Sequence, residues 1–408
     1  MLINMNNQDI NIKFPKGRTA FLVIHGVGEQ SPFETMDYFA QNLIKFLEAR
    51  NLQIKLEHLI TKRKLSTGYP WTESFVRISS ANSQAEDLID IHEYYWAPDT
   101  ENKISIPEIL QWAERTLQGT IDFYSRKENK HLLEELLKDK QGKGIFIFRL
   151  RWLTIFLRIF NLIFPILRLI VWLILLLLSP FMSGRFLQPA WQLSKGIVTP
   201  LLVNFVADVA IYTTTDMKSP YHWIRETILA ESLTMLKELL KDKQANYDQV
   251  ILAGHSLGSC IAYDTLNLLC LEASLAQDLG KSLEIDKITG LISFGSPLDK
   301  IAFFFREMGQ HHQYIRRRIL EQLNSFRIKP LYIWKLPYLN VNPVQCQLEQ
   351  IQWVNYYHLQ DPISGHLDYY EKLDNVKMEY PSKWGVEAHL GYWTDPNFYK
   401  DIARRFLF

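Results

Sequence analysis

The sequence predicts an α/β fold, a mostly parallel sheet with helices on both faces. Three observations point there. Short apolar runs of strand length recur at Ala20–Ile24, Val250–Ala253, Ile288–Phe294 and Ile351–His358. Between them lie segments whose apolar residues repeat every three or four positions, as in an amphipathic helix. Strands rich in apolar residues throughout suit a sheet buried on both faces.

In chain order, Ala20–Ile24 is the first strand, ending in His25-Gly26-Val27-Gly28. Ser31-Pro32-Phe33-Glu34 then reads as a capping box with proline at the first helical position. The helix it opens buries Phe39, Leu43, Phe46 and Leu47. Trp71–Ile78 and Leu88–Trp96 are strand candidates. Ile106–Tyr124 and the charged Lys130–Lys140 look helical, as does Trp223–Leu240, with Leu229, Leu233, Leu236 and Leu240 on one face. Residues 300–325 read as a basic helix with Arg316, Arg317 and Arg318 on a solvated side. A short strand is expected near Val376–Tyr380. These elements form one α/β domain made of residues 18–100 and 206–408, interrupted by a helical insertion at 101–205.

Composition narrows the function classes. A net charge of +1 and the lack of any basic, aromatic-bearing helix give no sign of nucleic-acid binding. Three cysteines without C-x-x-C spacing suggest neither a disulfide framework nor a zinc site, and fit a reducing compartment. The polar stretch Met1–Gly17 does not read as a signal peptide. No metal-ligand cluster is visible; His311-His312 is an isolated pair. The loop after the first strand matches no nucleotide-binding pattern. No cofactor is expected.

The chemistry gathers around Gly254-His255-Ser256-Leu257-Gly258, which joins an apolar strand to a helical segment with Ala262, Leu266, Leu269 and Cys270 on one face. Strand, sharp turn and helix are the setting of a G-x-S-x-G nucleophile elbow. The turn strains the serine backbone, and the glycines leave room for it. Ser256 is the candidate nucleophile. Its Leu257 N–H would sit at a helix N-terminus, where an anion is favoured.

A serine nucleophile needs a base, an acid and oxyanion donors. Asp361, held extended by Pro362, follows the strand Ile351–His358 and is the preferred acid; Asp299, after the preceding strand, is the alternative. If the order is Ser, Asp, His, the base follows the acid. His389 lies 28 positions beyond Asp361, room for a strand and a return loop, whereas His366 follows after only five and is the alternative base. The Val27 N–H is the expected second oxyanion donor, with Gly26 as its alternative. His25 itself reads as a structural hydrogen-bonder.

Together His25-Gly26-Val27-Gly28, the elbow, Asp361 and His389 resemble the α/β-hydrolase superfamily, and the histidine before the serine is most similar to its lipase and esterase branches. The resemblance covers about residues 18–98 and 206–400. It implies an eight-stranded type of sheet, a Ser-His-Asp triad, no cofactor, and hydrolysis of carboxylic esters through an acyl-enzyme. Acyl transfer on the same triad, and a non-catalytic membrane-bound scaffold, are the alternatives.

The insertion contains the greasiest part of the chain. Ile159–Met182 is 24 residues with one charge, Arg168, long enough to cross a bilayer. Both ends of the insertion return to one sheet, so it crosses an even number of times or not at all. A second crossing would need Ile197–Tyr212; a re-entrant hairpin could kink at Pro165. Arg151 and Arg158 fall on one helical face opposite Leu153, Phe156 and Phe160, an interfacial pattern. Lys140, Lys143, Arg149 and Arg151 before the run, and Arg185 after it, suit an anionic cytoplasmic leaflet. The expectation is a membrane-associated enzyme touching the bilayer through residues 145–182, its catalytic domain on the cytoplasmic side and its substrate a lipid or other ester. The alternative for the insertion is a dry cap over the site.

Overall fold

A computed structural model describes residues 13–27, 31–64, 70–81, 87–100, 103–104, 106–125, five positions between 151 and 159, 207–214, 219–280, 283–301, 327, 347–382 and 385–408. The first half of the domain supplies β1 (Arg18–Ile24), α1 (Glu34–Glu48), β2 (Ile54–Lys64), β3 (Pro70–Ser80), β4 (Leu88–Tyr94), α2 (Ala97–Thr100) and α3 (Ile106–Ser125). The second half supplies α4 (Pro220–Lys241), β5 (Gln249–His255), α5 (Leu257–Asp278), β6 (Ile288–Phe294), β7 (Gln352–His358), β8 (Asp374–Met378), α6 (Val386–Leu390) and α7 (Pro396–Phe406).

The strands form one eight-stranded sheet in the order β2-β3-β4-β1-β5-β6-β7-β8. From β4 to β8 every neighbouring pair is parallel; only the β2–β3–β4 edge is antiparallel. Alternation along β1 explains the two cores. Ala20, Leu22 and Ile24 face a cluster with α4 and α5, while Phe21 and Val23 face one with α1 and α7. Each cluster removes its side chains from water at about 25 cal/mol per Å² of apolar surface.

Local chemistry sets the helix starts. Pro220 and Pro396 occupy the first turns of α4 and α7, and the Ser219 and Asp395 side chains accept the N–H groups of Tyr221 and Asn397. The start of α1 differs from the capping box expected at Ser31. Its N-cap is Phe33, in left-handed backbone with φ 68°, and no side chain caps it. Only one half of the box survives, Glu34 reaching back to the Ser31 N–H.

Two further expectations need correction. Cys270 is disulfide-bonded, its partner outside the described residues, while Cys260 is free and buried. A pairing between cysteines far apart in the chain leaves no spacing signal. Residues 207–212, offered above as part of a second membrane crossing, are helical and buried; Ala210, Ile211 and Tyr212 are at most 1% exposed. Tyr212 donates to Asp264 of α5 at 2.6 Å, so this turn belongs to the protein core.

The helix expected at Lys130–Lys140, all but the first two residues of the one expected at 300–325, and nearly all of the apolar run at 145–182 lie outside the described residues. Among the described residues no helix is long and apolar enough to cross a membrane.

Candidate active site

The sheet topology brings the candidate residues to one edge. β5 lies beside β1, so the loop at His25–Val27 and the turn at Ser256 leave from adjacent carboxyl ends. β6 and β7 follow outward, placing Gly295 and Asp361 along the same edge. This is where an open parallel sheet gathers ligands and catalysts.

Ser256 sits at φ 51°, ψ −127°, a backbone region that costs a non-glycine residue roughly 1–3 kcal/mol. Surrounding contacts hold it there. Its N–H donates to Phe294 O at 3.0 Å. A Cβ on Gly254 would lie 2.5 Å from Gly258 O, and one on Gly258 would lie 2.3 Å from both Ile24 O and His25 O. Backbone therefore packs on backbone, and only hydrogen fits at either glycine. Below the turn, Ser259 Oγ donates to Ser256 O at 2.5 Å and lies 2.7 Å from Ser296 Oγ. Ser256 Oγ is buried and has no hydrogen-bond partner.

His389 Nδ1 lies 2.9 Å from Asp361 Oδ2, while His389 Nε2 is buried and unpartnered. Asp361 is nearly sealed from solvent. Its Oδ1 accepts the Ile363 N–H at 2.8 Å and the Ser364 N–H at 3.3 Å. Burial by itself would raise this carboxyl. The hydrogen bond and charge of His389, helped by Ile363 and Ser364, outweigh burial and hold it well below the usual carboxylate range.

His255 acts as a bracket. Its Nε2 donates to the His389 carbonyl at 3.0 Å and the two rings lie 4.7 Å apart. Burial first, then the neighbouring His389, lower its pKa to about 3, so it stays neutral. Gly295, at φ 60°, makes room beside them: a Cβ there would lie 3.1 Å from both His255 Nε2 and His389 Cε1.

The first-strand loop meets the same place. A Cβ on Gly26 would lie 2.7 Å from Ser256 Cβ. His25 accepts the Trp96 N–H on Nε2 at 3.0 Å, so Nδ1 carries the proton and bonds Gly26 O at 2.7 Å. Its ring stacks on Trp96, and burial lowers its pKa to about 4. His25 is thus the structural hydrogen-bonder the sequence suggested. Because the C=O and N–H of one planar peptide point in opposite directions, fixing Gly26 O also fixes the direction of the Val27 N–H. Leu257 is the first residue of α5, where unpaired N–H groups face outward.

The structure separates the competing residues. Asp299 accepts the N–H groups of Asp368 and Tyr369 at 2.7 and 3.3 Å, bracing a turn. The His366 side chain is 52% exposed and pairs with Asp368. Neither meets the other candidates, whereas Asp361 and His389 meet each other. Sequence reasoning misses Tyr392, whose hydroxyl also reaches Asp361, and Lys300. Lys300 Nζ donates to the carbonyls of Pro362, Ile363 and Ser364 at 2.8, 2.5 and 3.1 Å and so pins the loop after the acid. The one available signal was that His-Leu-x-Tyr occurs at both His366 and His389. Among the described residues no group of three or more His, Cys, Asp or Glu side chains could hold a metal ion. Compared with known proteins, the chain matches no family model and no curated protein.

Proposed function

We propose that the chain is a serine hydrolase of the α/β-hydrolase type that cleaves carboxylic esters, with lipid acyl esters as the substrate class. One observation carries this reading. A serine held in strained backbone, its Oγ buried and unpartnered, shares a sheet edge with a histidine whose Nδ1 is on a buried carboxylate and whose Nε2 is open. Ser256 Oγ attacks the ester carbonyl and passes its proton to His389 Nε2. Asp361 orients His389 and stabilises the imidazolium. The N–H groups of Leu257 and Val27 receive the developing oxyanion. His389 then protonates the leaving alcohol, and water, activated by the same histidine, releases the acid. No cofactor or metal enters this scheme.

The membrane half of the proposal draws support from residues 151–159. Trp152, Ile155 and Ile159 are exposed and spaced three and four apart, hence on one helical face, directly before the apolar run. Of the pattern read from the sequence only Arg151 is among the described residues, and it is exposed as well. We place the catalytic domain on the cytoplasmic side, from the basic residues around the run.

Covalent labelling with a fluorophosphonate tests the enzyme. Labelling is expected in the full chain and absent in Ser256→Ala; a folded wild type that does not label is no serine hydrolase, and the scaffold reading replaces it. Co-sedimentation with vesicles containing anionic lipid tests the membrane half. Protein that labels yet stays in the supernatant ends it.

A further inference from the structure

Asp361 Oδ2 receives two donors. Besides His389 Nδ1 at 2.9 Å, the Tyr392 hydroxyl lies 3.0 Å away. Tyr392 is completely buried, in the 3₁₀ turn Gly391–Thr394 that follows α6. Its oxygen is also 2.8 Å from Ser364 Oγ, which lies 3.4 Å from the His358 N–H. An ionised carboxylate only accepts, so the phenol's single proton goes to Asp361 and the Ser364 hydroxyl donates to the phenol. Burial and the charge of Asp361 keep that phenol protonated far above neutral pH.

Packing alone does not ask for a hydroxyl here. The ring fills space between Phe294 and Tyr380, at centroid distances of 6.1 and 5.5 Å, and a phenylalanine would fill the same space. The hydroxyl instead sits on the very oxygen that the base uses. We propose that Tyr392 is a positioning residue that acts through Asp361: it fixes Oδ2 towards His389 and takes up part of the charge that would otherwise favour the imidazolium.

This inference rests on the triad proposed above. The other charged or titratable groups around Asp361 are Lys300, bound to the carbonyls of residues 362–364, His255, which burial keeps neutral, and Tyr380, whose hydroxyl donates to Ala388 O. None of these gives a proton to Oδ2 among the described residues.

Two effects of removing the hydroxyl differ in their readout. A less restrained carboxylate slows the reaction, while a less shared charge on Oδ2 stabilises protonated His389 and makes it lose its proton at higher pH. The experiment is Tyr392→Phe in the full chain, with the second-order rate of fluorophosphonate inactivation followed from pH 5 to 9. The plateau rate is expected to fall roughly threefold to tenfold. The acid limb of the profile is expected to move up by about half to one pH unit. Ser364→Ala, which removes the donor to the phenol, gives smaller changes in the same directions and serves if the first variant does not fold. A variant that melts earlier but keeps the wild-type profile makes Tyr392 a packing residue and overturns the proposal. If the wild type is not labelled at Ser256 at all, the triad itself has failed.

Discussion

Two histidines of this protein place Nδ1 against a carboxylate that water does not reach. His389 meets Asp361 at 2.9 Å, and His92 of β4 meets Glu73 of β3 at 2.5 Å. The difference lies at the other ring nitrogen. His92 Nε2 is 3.0 Å from the Tyr247 hydroxyl, which donates to Asp90, itself gripped by Arg77 through two bonds of 2.8 and 2.7 Å. In that network both ring nitrogens of His92 are engaged. His389 Nε2 ends with no partner, at the edge where a strained serine also ends with none. A histidine–carboxylate pair is therefore no signature of catalysis by itself. A second nitrogen left without a partner, and a strained serine at the same sheet edge, mark off the pair that we propose is catalytic.

Removing each histidine sharpens the contrast most. His389→Ala should lower the fluorophosphonate labelling rate on the order of 10³-fold or more. His92→Ala should leave the rate per folded molecule unchanged but lower stability, because the buried Glu73 carboxylate loses one of its partners. Denaturant titration beside labelling reads both; equal losses of rate would break the comparison. Next in size come the acids. Asp361→Asn should reduce labelling on the order of 10³–10⁴-fold, whereas Asp299→Asn, which loosens a turn, should stay within about tenfold.

A third carboxylate extends the series. Glu93 follows His92 on β4, and both of its oxygens are buried, with Thr35 and the Phe33 backbone close by but neither in good hydrogen-bond geometry. Burial raises it to about 7, against weaker offsets from Thr35 and Phe33. A carboxyl raised on folding contributes its stability below the unfolded value near 4.5 and loses it as pH rises through 7. Glu93→Gln should thus gain up to about 3 kcal/mol over wild type at pH 9 and nothing at pH 4, as read by melts across that range. The smallest effect belongs to the elbow. Ser256→Gly should be about 1 kcal/mol more stable than Ser256→Ala, since glycine tolerates the backbone that alanine must strain to adopt.

The parallel half of the sheet was legible because its strands are buried on both faces. Ile288–Phe294 was read to the residue, and the elbow strand and Ile351–His358 nearly so. β2 was missed for the opposite reason. It is an edge strand with Leu56 and Ile60 more than half exposed, and its Lys and Glu residues hide the alternation. At the site, chain order and spacing favour Asp361 over Asp299 and His389 over His366, and Asp361 and His389 lie within hydrogen-bond distance of each other. What spacing could not carry was convergence through turns. The hydroxyl of Tyr392, the bracket of His255 and the ammonium of Lys300 reach the site from a 3₁₀ turn, the end of β5 and a helical turn after β6, each over a distance that no periodic pattern records. The start of α1 was misread because Phe33, not Ser31, takes the left-handed turn.

The contact of Gly258 with the carbonyls of Ile24 and His25 has a consequence for how such a protein can diversify. Spacing between the nucleophile and the first-strand loop is fixed by main chain touching main chain, so no exchange of side chains can retune it. Any drift at that seam meets a clash at once. Variation is left to exposed positions such as Leu359, Val386 and Leu390, all about half exposed or more. On the function proposed, new substrates would be acquired there, around a serine turn that cannot move.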